Sequence, residues 1–114
     1  MLIVQDLRDF GANVDEGLKR CMGREDFYLR LIKMARSDGN MAKLREAINK
    51  NDLEAGFEAA HALKGVLANL ALTPVLTPVS EITELLRART EMDYRPLMEE
   101  ITAQKAKLDA LAAG

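Results

Sequence analysis

The one histidine of the chain, His61, is followed three residues later by Lys64 and four residues later by Gly65, within the stretch HALKGVLANL at 61–70. A neutral imidazole is a nucleophile near pH 7, and histidine can form covalent intermediates. A lysine one helical turn away can neutralise an oxygen of a phosphoryl group. A glycine inside a helix costs about 0.5–1 kcal/mol relative to alanine, so its presence calls for a reason. Two other chemistries fit poorly. A metal site lacks ligands: there is no second histidine, and the one cysteine, Cys21, lies far off in sequence. A hydrolytic triad would need a Ser or Cys nucleophile and an orienting acid around an enclosed pocket.

The direction of His61 follows from helical periodicity. At about 100° per residue from His61, Val66 falls near 140°, Leu70 near 180°, Leu63 near 200° and Leu67 near 240°, all roughly placed. Gly56 and Ala59 join this apolar stripe, which must face a core. His61 lies opposite its centre and is expected to point outward. Its neighbours along the helix are Phe57 and Glu58 on one side and Lys64 and Gly65 on the other, with the small Ala62 and Ala68 nearby. An inert surface histidine would not need such surroundings. An exposed nucleophile, a cation beside it and a surface cleared by Gly65 suit phosphoryl transfer between proteins. Lys64 has the plainer reading of a solvated lysine, and Gly65 that of a tolerated helix glycine. Phe57 has two equal readings: seated on a partner's apolar surface, or folded back against a neighbouring helix.

The elements that must hold this site read as helices almost throughout. Asn13 caps a first short helix that ends before Gly23. A second spans roughly 24–37, with Phe27, Leu31 and Met34 as its stripe, and Asp38-Gly39-Asn40 breaks it. A third spans roughly 41–49, with Met41, Leu44 and Ile48 on one face. Asp52 opens the histidine helix, expected over about 52–71. In LTPVLTPVSEITELL, Thr77 is expected as cap and Pro78 as first helical residue, because an earlier start would bury Pro78 inside a helix. Residues 73–76 are then a turn or a one-turn extension. Asp93 is expected to cap the last helix, with Leu97, Ile101, Leu108 and Leu111 on its apolar face. No sustained strand alternation occurs. The class is all-α, with four substantial helices and shorter ones before them.

Composition narrows the setting. The chain has 114 residues, the size of one domain, expected to span 1–114. Aromatic residues make up 4% and Trp is absent, so the core must be chiefly aliphatic, as packed helices prefer. Sixteen Lys and Arg are scattered among eighteen Asp and Glu, with no basic stripe for nucleic acid. One cysteine allows no internal disulfide, which fits a reduced, cytoplasmic setting, and Cys21 reads as a small buried apolar residue. The opening MLIVQDLRDF meets charge too early for a signal peptide or a membrane span.

His61-Ala62-Leu63-Lys64-Gly65 resembles the His-x-x-Lys-Gly signature of histidine-containing phosphotransfer (HPt) domains. NDLEAGFEAA before it, and NVDEGLKRCMGREDFYLRLI near the start, resemble the family's run-up to the histidine and its opening helices. The resemblance covers roughly 13–111. It implies an antiparallel up-and-down four-helix bundle with short additional N-terminal helices. It further implies that His61 takes a phosphoryl group from a receiver-domain aspartate and passes it to a response-regulator aspartate. Lys64 would stabilise the phosphoryl charge, and Phe57, Glu58, Gly65 and Ala68 would meet the receiver. No cofactor is expected in this chain; Mg²⁺ belongs to the receiver. ATP-dependent autophosphorylation is not expected, since no phosphate-cradling glycine loop is present. The expected partners are receiver domains of hybrid kinases and response regulators, with neither nucleic acid nor membrane, and the chain a monomer. Its start at Met1 and its fit to one domain favour a free-standing protein. The rival is a receiver-binding scaffold that carries no phosphate; the paired-helix dimerisation element of a histidine kinase fits less well. Family members often have glycine where Ala71 stands, which bears on how the histidine helix ends.

Overall fold

The structure, a computed structural model, describes residues 1–113. It contains seven helices and no strand among the described residues: α1 (Val4–Phe10), α2 (Val14–Arg20), α3 (Glu25–Ala35), α4 (Asn40–Asn49), α5 (Leu53–Asn69), α6 (Thr73–Arg87) and α7 (Arg95–Ala113). Helices α4 to α7 follow one another through short connections, so neighbours run antiparallel, and α5 packs against both α4 and α6. The short α1 and α2 precede them.

Side-chain caps account for three of the helix starts. The Asn13 side chain accepts the backbone N–H of Glu16 at the start of α2. The Asp52 carboxylate accepts the N–H of Ala55 at the start of α5. Each satisfies a donor that the first helical turn leaves free. Asp93 accepts the N–H of Arg95 at the entry to α7 and also pairs with that residue's guanidinium, which holds its carboxyl below the usual range.

Three expectations require correction. Helix α6 starts at Thr73, so Thr77 is not its cap and Pro78 lies inside it. Pro74 occupies the first turn, where a missing N–H is harmless. Val75, Pro78, Val79, Ile82 and Leu86 form one buried stripe, and burying that first turn outweighs the single backbone bond lost at Pro78. In α3 the buried residues are Tyr28 and Ile32, whereas Met34 is 63% exposed. Finally, the opening residues form α1, with Leu2 and Leu7 in the core. The polar Asp6, Arg8 and Asp9 that break the apolar run alternate around a helix that buries only one side.

The core is continuous through all seven helices and mostly aliphatic. Tyr28 is its largest fully buried side chain. It packs over Gly17, where a Cβ would stand 2.6 Å from the ring. Its hydroxyl donates to the Leu70 carbonyl at 2.8 Å, just past the end of α5. The Asn13 N–H donates to the Ala71 carbonyl at 2.9 Å in the same turn. The start of α2 and the buried Tyr28 of α3 thus grip the C-terminal end of the histidine helix.

Candidate functional site

Helix α5 buries Gly56, Ala59, Ala60, Leu63 and Leu67. The lack of a side chain at Gly56 lets α6 come close: a Cβ there would lie 3.4 Å from a Leu86 methyl group. The opposite face carries His61, which is exposed near the middle of the helix, as periodicity predicts. Glu58, Ala62 and Gly65 are exposed beside it, and Lys64 and Ala68 are half-buried. A Cβ built on Gly65 meets nothing within 4 Å. Gly65 therefore serves no packing purpose within the chain, and its omission of a side chain leaves the approach to His61 open.

Phe57 resolves in part. Its ring stacks on the His61 imidazole, centroids 5.5 Å apart and planes 20° from parallel. It is half-buried and leans against the core, so it folds back while staying partly exposed. It is also covered by cations from the end of α6. The Arg87 guanidinium lies 4.8 Å from the ring centroid and that of Arg89 lies 5.6 Å away. Both distances fall within the range of cation–π attraction.

Arg89 reaches this position through its backbone. It is the left-handed residue that closes α6, at φ +54°, with its own N–H on the Leu86 carbonyl and the Thr90 N–H on the Leu85 carbonyl. Its Nη1 also donates to Leu86 O at 2.7 Å. Ala71 ends α5 in the same manner at φ +55°. Leu72 N–H donates to Leu67 O, and Ala71 N–H to Ala68 O. Alanine thus adopts the conformation for which glycine is the usual choice, and the helix end keeps its expected geometry.

Lys64 also has company that the sequence did not reveal. Its Nζ lies 3.7 Å from a carboxylate oxygen of Glu84 on α6, and Arg87 Nε lies 3.3 Å from that carboxylate. Lys64 and Arg87 thus share Glu84, while Arg87 and Arg89 lie over the Phe57 ring that stacks on His61. No spacing rule links residues 84–89 to His61; only the packing of α6 on α5 brings them together. Glu58 lies off this cluster and lines a groove between α4 and α5 with Lys43, Glu46 and Lys50. Among the described residues, no three His, Cys, Asp or Glu side chains are placed to hold a metal ion. Cys21 is buried and unpaired. No helix among the described residues is long and apolar enough to cross a membrane.

An exposed imidazole near the middle of a helix, with a lysine one turn on and a bare glycine beside it, is open to a large partner rather than set in a pocket that encloses a small substrate. A family model described as "Hpt domain" matches residues 32–114. Searches of curated proteins and of solved structures each returned no match.

Proposed function

The chain belongs to the Hpt domain family, and from that premise we propose that His61 accepts a phosphoryl group from a receiver-domain aspartate and delivers it to the aspartate of a response regulator. The lone pair of an unprotonated imidazole nitrogen forms the N–P bond. The P–O bond to the aspartate breaks, and its electron pair leaves with the carboxylate. Delivery to the second aspartate runs the same exchange in reverse. Mg²⁺ is assigned to the receiver. In this reading Lys64 contacts the phosphoryl oxygens, while Gly65 and Ala68 lie under the docked receiver. The edge of Phe57 extends that surface, and Glu58 borders it. The domain works in the cytoplasm as a monomeric phosphoryl carrier.

The observation that carries this reading is His61 itself: exposed, mid-helix and beside a glycine whose missing side chain no neighbour fills. The test mixes the protein with receiver domains of the source organism charged by acetyl phosphate. Acid-labile phosphate should appear on the wild type and be absent from His61→Gln. Since His61 lies off the core, the variant should melt with the wild type. Receiver binding without phosphate uptake by the wild type would identify a scaffold and overturn the carrier reading.

A further inference from the structure

Lys64, one turn beyond His61, and Arg87, over the Phe57 ring that stacks on His61, share one anion in the resting protein. We propose that Glu84 is a positioning residue: its carboxylate holds Lys64 and Arg87 beside His61 while no phosphate is present and yields them to the phosphoryl group when it arrives. The inference rests on the carrier reading and adds a residue to it.

Three features of the structure support this. Glu84 accepts from Arg87 Nε through both carboxylate oxygens at 3.3 Å and faces Lys64 Nζ at 3.7 Å. Its side chain is 57% exposed and those of its partners 35% and 51%, so both contacts are solvent-screened and readily exchanged. The cations it holds come from two helices, Lys64 one turn beyond His61 on α5 and Arg87 over the ring stacked on His61. A phosphoryl group on His61 offers the same cations a second and more highly charged anion. Glu84 then acts as an internal competitor. It keeps the cations ordered in the free protein and limits how firmly they hold the phosphoryl group, which favours onward transfer.

The kinetic consequence follows from the charge distribution. Phosphoryl transfer passes through a loose state in which the bond to the donor is largely broken. Cations held on the phosphoryl oxygens of the stable phosphohistidine therefore slow its loss to water. Removing the competing carboxylate should strengthen that hold and lengthen the life of the phosphorylated form.

The test charges the full chain with potassium phosphoramidate, which places a phosphoryl group on histidine as ammonia leaves. Hydrolysis is then followed by intact mass. Glu84→Gln should lengthen the phosphohistidine half-life by about two- to fivefold, the scale of a screened ion pair. Glu84→Asp should restore most of the wild-type rate, and all variants should melt together. In a Lys64→Ala/Arg87→Ala background, Glu84→Gln should have no further effect. An unchanged half-life in Glu84→Gln, or an equal change without the two cations, overturns the role of Glu84 and leaves the carrier reading standing. A wild type that takes no acid-labile phosphate at His61 overturns both.

Discussion

Tyr28 is a single side chain that anchors the end of the helix carrying His61. Its ring is fully buried and its hydroxyl holds the Leu70 carbonyl at the end of the histidine helix. Burial, with a smaller contribution from Cys21, pushes its pKa up from 10.0 to about 12. The folded state therefore keeps the phenolic proton over a pH range in which the unfolded chain has lost it. The resulting stability is complete below about pH 10 and is lost as pH rises toward 12, at about 1.4 kcal/mol per pH unit. Tyr28→Phe should leave Leu70 without its partner and cost about 1–3 kcal/mol at neutral pH. The gap between variant and wild type should narrow above pH 10, as followed by denaturant titrations across pH; a constant gap would mean that Tyr28 does not titrate against folding. At this scale half of the candidate site was visible in the sequence. His61, Lys64 and Gly65 lie on one helix, where spacing alone fixes their common face. Glu84, Arg87 and Arg89 come from α6 and the turn that closes it, and they approach the candidate site only through tertiary packing, for which no local pattern exists.

The helices themselves make further predictions, beginning with Gly65. Because a Cβ there meets nothing within 4 Å, Gly65→Ala should raise stability by up to about 1 kcal/mol through helix propensity alone. Gly65→Leu and Gly65→Glu should remain folded by circular dichroism yet lose phosphotransfer. Large substitutions that unfold the bundle would contradict the open space seen here, and unimpaired transfer would show that the receiver docks elsewhere. The helix ends form a second set. Helices α2, α4, α5 and α6 all close through a left-handed residue: Met22, Asn51, Ala71 and Arg89. A non-glycine residue in that conformation costs about 1–2 kcal/mol, with Asn an exception. Met22 is 81% exposed and contributes little packing, so Met22→Gly should raise the melting temperature by the equivalent of about 0.5–1 kcal/mol after the entropy of glycine is deducted. Ala71→Gly should gain less, because it also removes a buried methyl group. Equal gains at the two positions would show that packing at Ala71 contributes nothing. These ends were only partly legible, since glycine marks such turns and is absent at positions 71 and 89. The start of α6 misled for a related reason. The local rule against an internal proline is sound, but it does not count the burial of Val75 and Leu72 that the extra turn brings.

Across the whole molecule, the functional helix and its support come from different parts of the chain. The matched family region spans residues 32–114, yet the core also contains Leu2, Leu7, Val14, Cys21 and Tyr28. The sequence pattern readily showed the amphipathic helices from Met41 onward because each has a clear stripe. It did not show α1, whose seven residues are too few for periodicity to register and which is defined by what it covers. That coverage is substantial. Burying a large apolar side chain contributes about 1.5–3 kcal/mol, and a domain of this size has only about 5–15 kcal/mol of net stability. Several such residues from the first three helices therefore account for much of what keeps the bundle folded. They also include both ties to the turn after α5, the Tyr28 hydroxyl and the Asn13 N–H. A fragment of residues 32–114 would retain His61, Lys64, Glu84, Arg87 and Arg89 while exposing the apolar faces that α1 to α3 cover. It should show weak, non-cooperative thermal unfolding by circular dichroism and charge poorly with phosphoramidate at 37 °C. Adding residues 1–31 as a separate peptide should not restore it at micromolar concentration, because association carries an entropic cost that the covalent chain avoids. A fragment that melts as sharply and as high as the full chain would show instead that α4 to α7 hold the histidine helix by themselves, and that the grip on Leu70 and Ala71 is dispensable.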